Sequence, residues 1–167
     1  MYAGARSIAR IVLIGVAGFL VVLTITWIPG ANSTAAAAPG CSGSSCTGYN
    51  PETMGCGADA ATGPTKTISG GKAENRQSPA CNAEWERTRN TSGSSKYAAG
   101  SIRYGCADYC YAQSVRSPAK IASGLNVFTP MKGPDSTTPT RSCGKLSDSG
   151  PISIPVSVND TNCSGVG

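Results

Sequence analysis

Histidine is absent from all 167 residues. With it go the Ser-His and Cys-His nucleophile pairs, the commonest general base near neutral pH, and mixed Cys/His zinc sites. No two cysteines form a C-x-x-C pair, so the usual signature of a thiolate metal site is missing too, and neither metal nor cofactor is expected. Charge is sparse: only 14% of residues are Asp, Glu, Lys or Arg. The basic residues are scattered, with no run like those of nucleic-acid-binding arms, so nucleic acid is not an expected partner. Aromatics are few, with 2 Trp, 2 Phe and 6 Tyr. Trp27 and Phe19 belong to an N-terminal apolar run, which leaves Trp85 and Phe128 as the large apolar rings of everything that follows. So thin a core calls for covalent help. After that run no amphipathic helix of ordinary length and no internal repeat is seen.

What is present begins with a targeting segment. Arg6 and Arg10 precede an apolar run over residues 11–28, and small residues follow up to Ala35-Ala36-Ala37-Ala38. This is the order of a secretory signal peptide, with cleavage expected after Ala37. The run is also long enough for an uncleaved membrane anchor. Both readings place the rest outside, because no Lys or Arg follows the run until Lys66. Residues 1–37 are therefore expected to be signal peptide or anchor, 38–40 a spacer, and 41–167 one extracytoplasmic domain, in contact with a membrane only through residues 11–28 if these are retained. Without Arg6 and Arg10, 12 basic side chains face 9 acidic ones, a mild excess with no strong pull on polyanions.

All eight cysteines (Cys41, Cys46, Cys56, Cys81, Cys106, Cys110, Cys143 and Cys163) lie beyond the leader. An even number outside the cytoplasm reads as four disulfides, each contributing about 2 to 4 kcal/mol. Sequence does not choose among the pairings.

With 21 Gly and 11 Pro, the composition favours short strands and long loops. The expected fold is mostly β: a small disulfide-stapled single domain, a compact barrel or sandwich, preceded by an N-terminal hydrophobic helix. Residues 41–63 read as stapled loop. Apolar and polar residues alternate over 81–86 and again over 152–158, where Pro155 assigns the strand to an edge or a bulge. A short helix competes over 81–86, because Ser78-Pro79 suits a helix start. Weaker strands are expected over 100–104 and 125–129.

Three stretches resemble a known family. Cys41-x4-Cys46-x-Gly48-x2-Pro51, then Gly55-Cys56-x2-Asp59-Ala60-x-Thr62, then Arg76-x-Ser78-Pro79-x-Cys81-x3-Trp85-x-Arg87 are similar to the YjfA-like family of secreted bacterial proteins, and Val127-Phe128-Thr129-Pro130-Met131 is loosely similar to a later stretch of it. The segment 104–111 and the tail with Cys163 have no counterpart. The resemblance implies export and a disulfide-bonded, mostly β domain; the family's function is not established, and it offers no catalytic residues.

The candidate sites are therefore binding sites. Arg76 and Arg87 flank Trp85, and an Arg stacked on an indole makes a surface for carbohydrate or an anion; the competing reading puts Trp85 in the core under an Arg stem. Tyr97, Tyr104, Tyr109 and Tyr111, with Lys96 and Arg103 among them, form the densest aromatic and polar cluster and would suit a sugar polymer. Asp59 reads as a loop-bracing acceptor. Glu84 and Glu86 share a strand face without the gap for substrate that glycosidase carboxylates need. The expectation is a non-enzymatic surface or extracellular binding module whose partner is a cell-wall glycan or an extracellular protein. The alternatives are an inhibitor of an extracellular hydrolase, and a carboxylate-only glycan hydrolase using Asp59 or Asp108.

Overall fold

The structure, a computed structural model, describes residues 38–105, 111–134, 139–153 and 161–165. The leader, the segment with Cys106, Asp108, Tyr109 and Cys110, and the expected strand from residue 154 onward lie outside the described residues. Ala35–Gly167 form one compact unit.

Among the described residues a short 3-10 helix (Gly43–Cys46) precedes seven strands: β1 (Ala61–Ile68), β2 (Gly71–Ser78), β3 (Ala83–Asn90), β4 (Tyr97–Tyr104), β5 (Tyr111–Arg116), β6 (Asn126–Phe128) and β7 (Thr140–Ser147). They build two antiparallel sheets, ordered β1-β2-β3-β6 and β5-β4-β7. The mostly β, disulfide-bonded fold read from the sequence is the fold found. The strand expected over 81–86 begins at Ala83, because Cys81 and Asn82 still belong to the β2–β3 turn, where Asn82 takes a left-handed φ of 46°. Those over 100–104 and 125–129 are present as β4 and β6.

The β1–β2 hairpin gives no apolar alternation to read. It forms because Thr-rich β1 returns through Ser69-Gly70, with Gly70 at φ +77°, into β2. Pro64 offers no N–H to the ladder, and the register shifts between Thr62 and Thr65.

Register then decides which side chains meet. Asn75 lies opposite Glu86, Ala73 opposite Thr88 and Gln77 opposite Glu84, all on one face; Arg76 opposite Trp85 and Glu74 opposite Arg87 take the other. The first face looks at the second sheet. There Gly100 and Gly144 stand opposite each other on β4 and β7. A Cβ at Gly100 would run into the Glu86 carboxyl, and one at Gly144 into Thr88 Oγ1. Beside Ile102, the layer between the sheets therefore holds mostly short or polar side chains, among them the fully buried Ala73, Asn75, Glu86, Thr88 and Ser142. Glu84 and Glu86 do share one strand face, as read from the alternation, and that face is the inner one. A period of two distinguishes two faces without saying which is wet, and the second sheet covers this one.

The larger apolar cluster lies on the other face of the first sheet. Trp85, Ala83 and Met131 pack with Cys46, Cys56 and Cys81, with Cys41, Met54, Ala60 and Phe128 at the edge. At about 25 cal/mol per Å2, burying a Trp of roughly 200 Å2 contributes about 5 kcal/mol. That is comparable to one or two disulfides, so both are needed. Three bridges are described: Cys41–Cys46, Cys56–Cys81 and Cys143–Cys163. Cys106 and Cys110 lie outside the described residues, and among those described no cysteine is free. Such cross-linking fits an oxidising, extracytoplasmic environment. Among the described residues no helix is long and apolar enough to cross a membrane.

Candidate functional site

One end of the sandwich carries a concentration of polar groups that no single stretch of sequence contains. β3 sets Glu84 on the inner face, and its backbone exchanges two hydrogen bonds of 2.8 Å with that of Lys132, which joins the sheet as an isolated bridge. Opposed residues of a bridge share a face, so the Lys132 side chain also points toward the second sheet. It meets Tyr104 of β4, with Nζ 4.3 Å from the ring centroid. Lys132 is 4% exposed, and its ammonium has no hydrogen-bond partner among the described residues. The aromatic face is its main compensation, of the order of 2 kcal/mol when desolvated.

The Glu84 carboxylate is oriented from two sides. Thr140 donates to Oε2 at 2.8 Å and Asn75 Nδ2 at 3.1 Å; Asn75 Nδ2 also donates to Thr140 Oγ1 at 3.2 Å. Thr140 is in turn the register partner of Tyr104. Strands β2, β3 and β7 thus converge on one acid, with Tyr104 of β4 beside Thr140. Beside it opens a cleft of about 320 Å3, with Gln77, Ser78, Asn82, Glu84 and Thr140 among its polar walls and Pro79, Ala83 and Pro134 among its apolar ones. Only Oε2 of Glu84 is engaged by these bonds, so the carboxylate keeps acceptor capacity for a ligand hydroxyl or ammonium group.

The cleft's floor is braced by Asp59. Ser78 Oγ donates to its Oδ1 at 2.5 Å and the Ala80 N–H to its Oδ2 at 2.8 Å, while the Cys81 N–H donates to Ser78 Oγ at 3.1 Å. The first two bonds, Ser78's foremost, hold the Asp59 carboxyl below the ordinary range. Asp59 is an acceptor, as expected from the sequence, but its partners lie 19 and 21 residues further along, at the β2–β3 turn, rather than among the backbone N–H groups of its own loop.

The other sequence candidates are distributed. Trp85 is 2% exposed and sits in the cystine cluster. Arg76 shares its face and donates to Thr62 Oγ1 and to the Ala60 carbonyl; burial, ahead of repulsion from Arg87, lowers its pKa. Arg87 pairs with Glu74 at 2.7 Å. Tyr97 lies under Lys120, 5.8 Å from the centroid, and Lys96 pairs with Asp148 at 2.6 Å. Lys96 first among the causes, through its hydrogen bond, keeps the Asp148 carboxyl low. Arg103 is buried. Tyr111 opens β5, its backbone paired with Tyr104, while Tyr109 and Asp108 lie outside the described residues. Of the proposed binders, the structure brings Tyr104 to the Glu84 end, and Arg76, Trp85 and Arg87 to the opposite face of the first sheet. Sequence reading missed Lys132, Asn75 and Thr140, because each is an ordinary polar residue locally and acquires its meaning only through cross-strand partners.

No family model, no curated protein and no solved structure matches this chain.

Proposed function

We propose that the chain is an exported, non-enzymatic binding module, akin to the YjfA-like proteins, which holds a polar ligand of the cell-wall glycan class in the cleft beside Glu84. The observation that carries this reading is the single, pre-oriented carboxylate. Glu84 is fixed by Asn75 and Thr140 at the cleft wall, and no second acid is among the cleft's described lining residues. One fixed carboxylate among amide and hydroxyl side chains suits recognition of sugar hydroxyls or an amino group, whereas glycoside hydrolysis calls for two carboxyls across the bond. A disulfide-bonded frame keeps the cleft formed in the absence of ligand and limits the ordering cost of binding.

The test is retention of the full chain on insoluble cell wall. It should exceed that of an inert secreted protein, and Glu84→Gln or Thr140→Val should lower the affinity about tenfold or more, the loss typical of a hydrogen bond to a charged group. Retention no better than the inert control, or unaltered in both variants, would reject the reading. Release of soluble sugar during the incubation would favour the carboxylate hydrolase instead.

A further inference from the structure

Two of the disulfides are not separate staples. The sulfur atoms of Cys41, Cys46, Cys56 and Cys81 all lie within 4.8 Å of one another, and the contact between the bridges is Cys41 Sγ to Cys56 Sγ at 3.9 Å. Four thiolates around a tetrahedral zinc ion, each about 2.3 Å from the metal, stand about 3.8 Å apart. One spacing between the two bridges, 3.9 Å, is already close to this value, and no pair of the four sulfurs exceeds it by more than about 1 Å. Within each bridge the sulfurs would separate by a little under 2 Å, a movement within reach of side-chain rotation at Cα distances of 5.1 and 5.7 Å.

Local spacing hides this grouping, because the four residues come from three places: the two ends of the short 3-10 segment, the turn before β1 and the turn before β3. Cys46, Cys56 and Cys81 are fully buried beside Trp85 and Met131, while Cys41 is partly exposed and offers a way in. Arg76 is bonded to the carbonyl of Ala60, a residue at the cluster's edge.

We propose that these four cysteines form a redox-gated metal site: two disulfides under oxidising conditions and, once reduced, a tetrathiolate site for one soft tetrahedral divalent cation of the zinc type. The reductant is a dithiol or a phosphine. Each disulfide takes up two electrons and two protons, giving four thiols in all, and these release four protons as four thiolates bind the cation. The bound metal then joins all three segments, whereas of the disulfides Cys41–Cys46 closes locally and only Cys56–Cys81 links two of them, so metal binding in the reduced chain is coupled to folding.

The experiment titrates Co2+ into the full chain reduced with a phosphine under argon, followed by Zn2+. One Co2+ per chain should bind with the near-ultraviolet thiolate charge-transfer band and the intense visible bands of a four-sulfur tetrahedral site, and Zn2+ should displace it. Loading with Zn2+ should restore β-sheet circular dichroism to the reduced chain. The pairs Cys143→Ser with Cys163→Ser, and Cys106→Ser with Cys110→Ser, should leave the spectrum unchanged. Cys41→Ser or Cys81→Ser should weaken binding by more than the roughly 10- to 100-fold that follows loss of an outer-shell partner. Any of three results would overturn the proposal: affinity as high in concentrated urea as in buffer, a spectrum without four-sulfur character, or binding indifferent to Cys81→Ser.

Discussion

Glu86 is the residue whose chemistry is most altered by the fold. It is fully buried between the sheets, and desolvation first, with Glu74 adding to it, pushes its pKa well above the ordinary value; the Thr88 hydrogen bond opposes this. The geometry supports a protonated acid. The Thr88 hydroxyl lies 2.5 Å from Glu86 Oε1 and 3.0 Å from the Ala99 carbonyl, and its one proton cannot serve both; a protonated Glu86 supplies the second. Because the folded state holds this proton more tightly than the unfolded chain, its contribution to stability is fully present below the unfolded pKa of about 4.3. It is lost as pH rises toward the folded value. Glu86→Gln, isosteric and neutral, should therefore raise the melting temperature at about pH 8 and change it little at about pH 4. Calorimetry at the two pH values checks this, and an equal effect at both would show that Glu86 is not the titrating group.

At the scale of elements, the close approach of β3 to β4 and β7 depends on Gly100 and Gly144. A methyl at Gly100 has nowhere to go but into the Glu86 carboxyl. Gly100→Ala should cost about 1 to 3 kcal/mol, as overpacking typically does. Adding Glu86→Ala should recover part of that cost, since the clash is then removed. A double-mutant cycle by urea unfolding reads the coupling, and strict additivity would refute direct contact. The same elements show why legibility was uneven. β3, β4 and β6 carry Ala83, Trp85, Ile102 or Phe128 at alternating positions, and their existence could be read. β1 buries only Ile68 at its end, and β2 and β7 bury small or polar residues such as Ala73, Asn75, Ser142 and Gly144 rather than Ile or Val, so periodicity carried no signal for them.

For the whole molecule, covalent links and buried surface share the work. Cys143–Cys163 ties β7 to the C-terminal segment, where the Ser164 N–H bonds the Ser142 carbonyl at 2.8 Å and Arg141 reaches the Ser164 carbonyl at 3.1 Å. Replacing both cysteines by Ser should cost about 2 to 5 kcal/mol. That is a large share of the roughly 5 to 15 kcal/mol that stabilises a domain, and thermal unfolding of the oxidised variant measures it. A loss within error would assign that stability to the hydrogen bonds alone. Composition and alternation were enough for the mostly β architecture, the disulfide cross-linking and the exclusion of His-based chemistry, because these follow from which residue types are present and how they are spaced. The pairing of the cysteines, the second layer over Glu86, and the meeting of Asn75, Glu84, Lys132, Tyr104 and Thr140 were settled only in three dimensions. Apart from Cys41–Cys46, each joins residues far apart in the chain, and strand register and sheet stacking, not local propensity, bring them together.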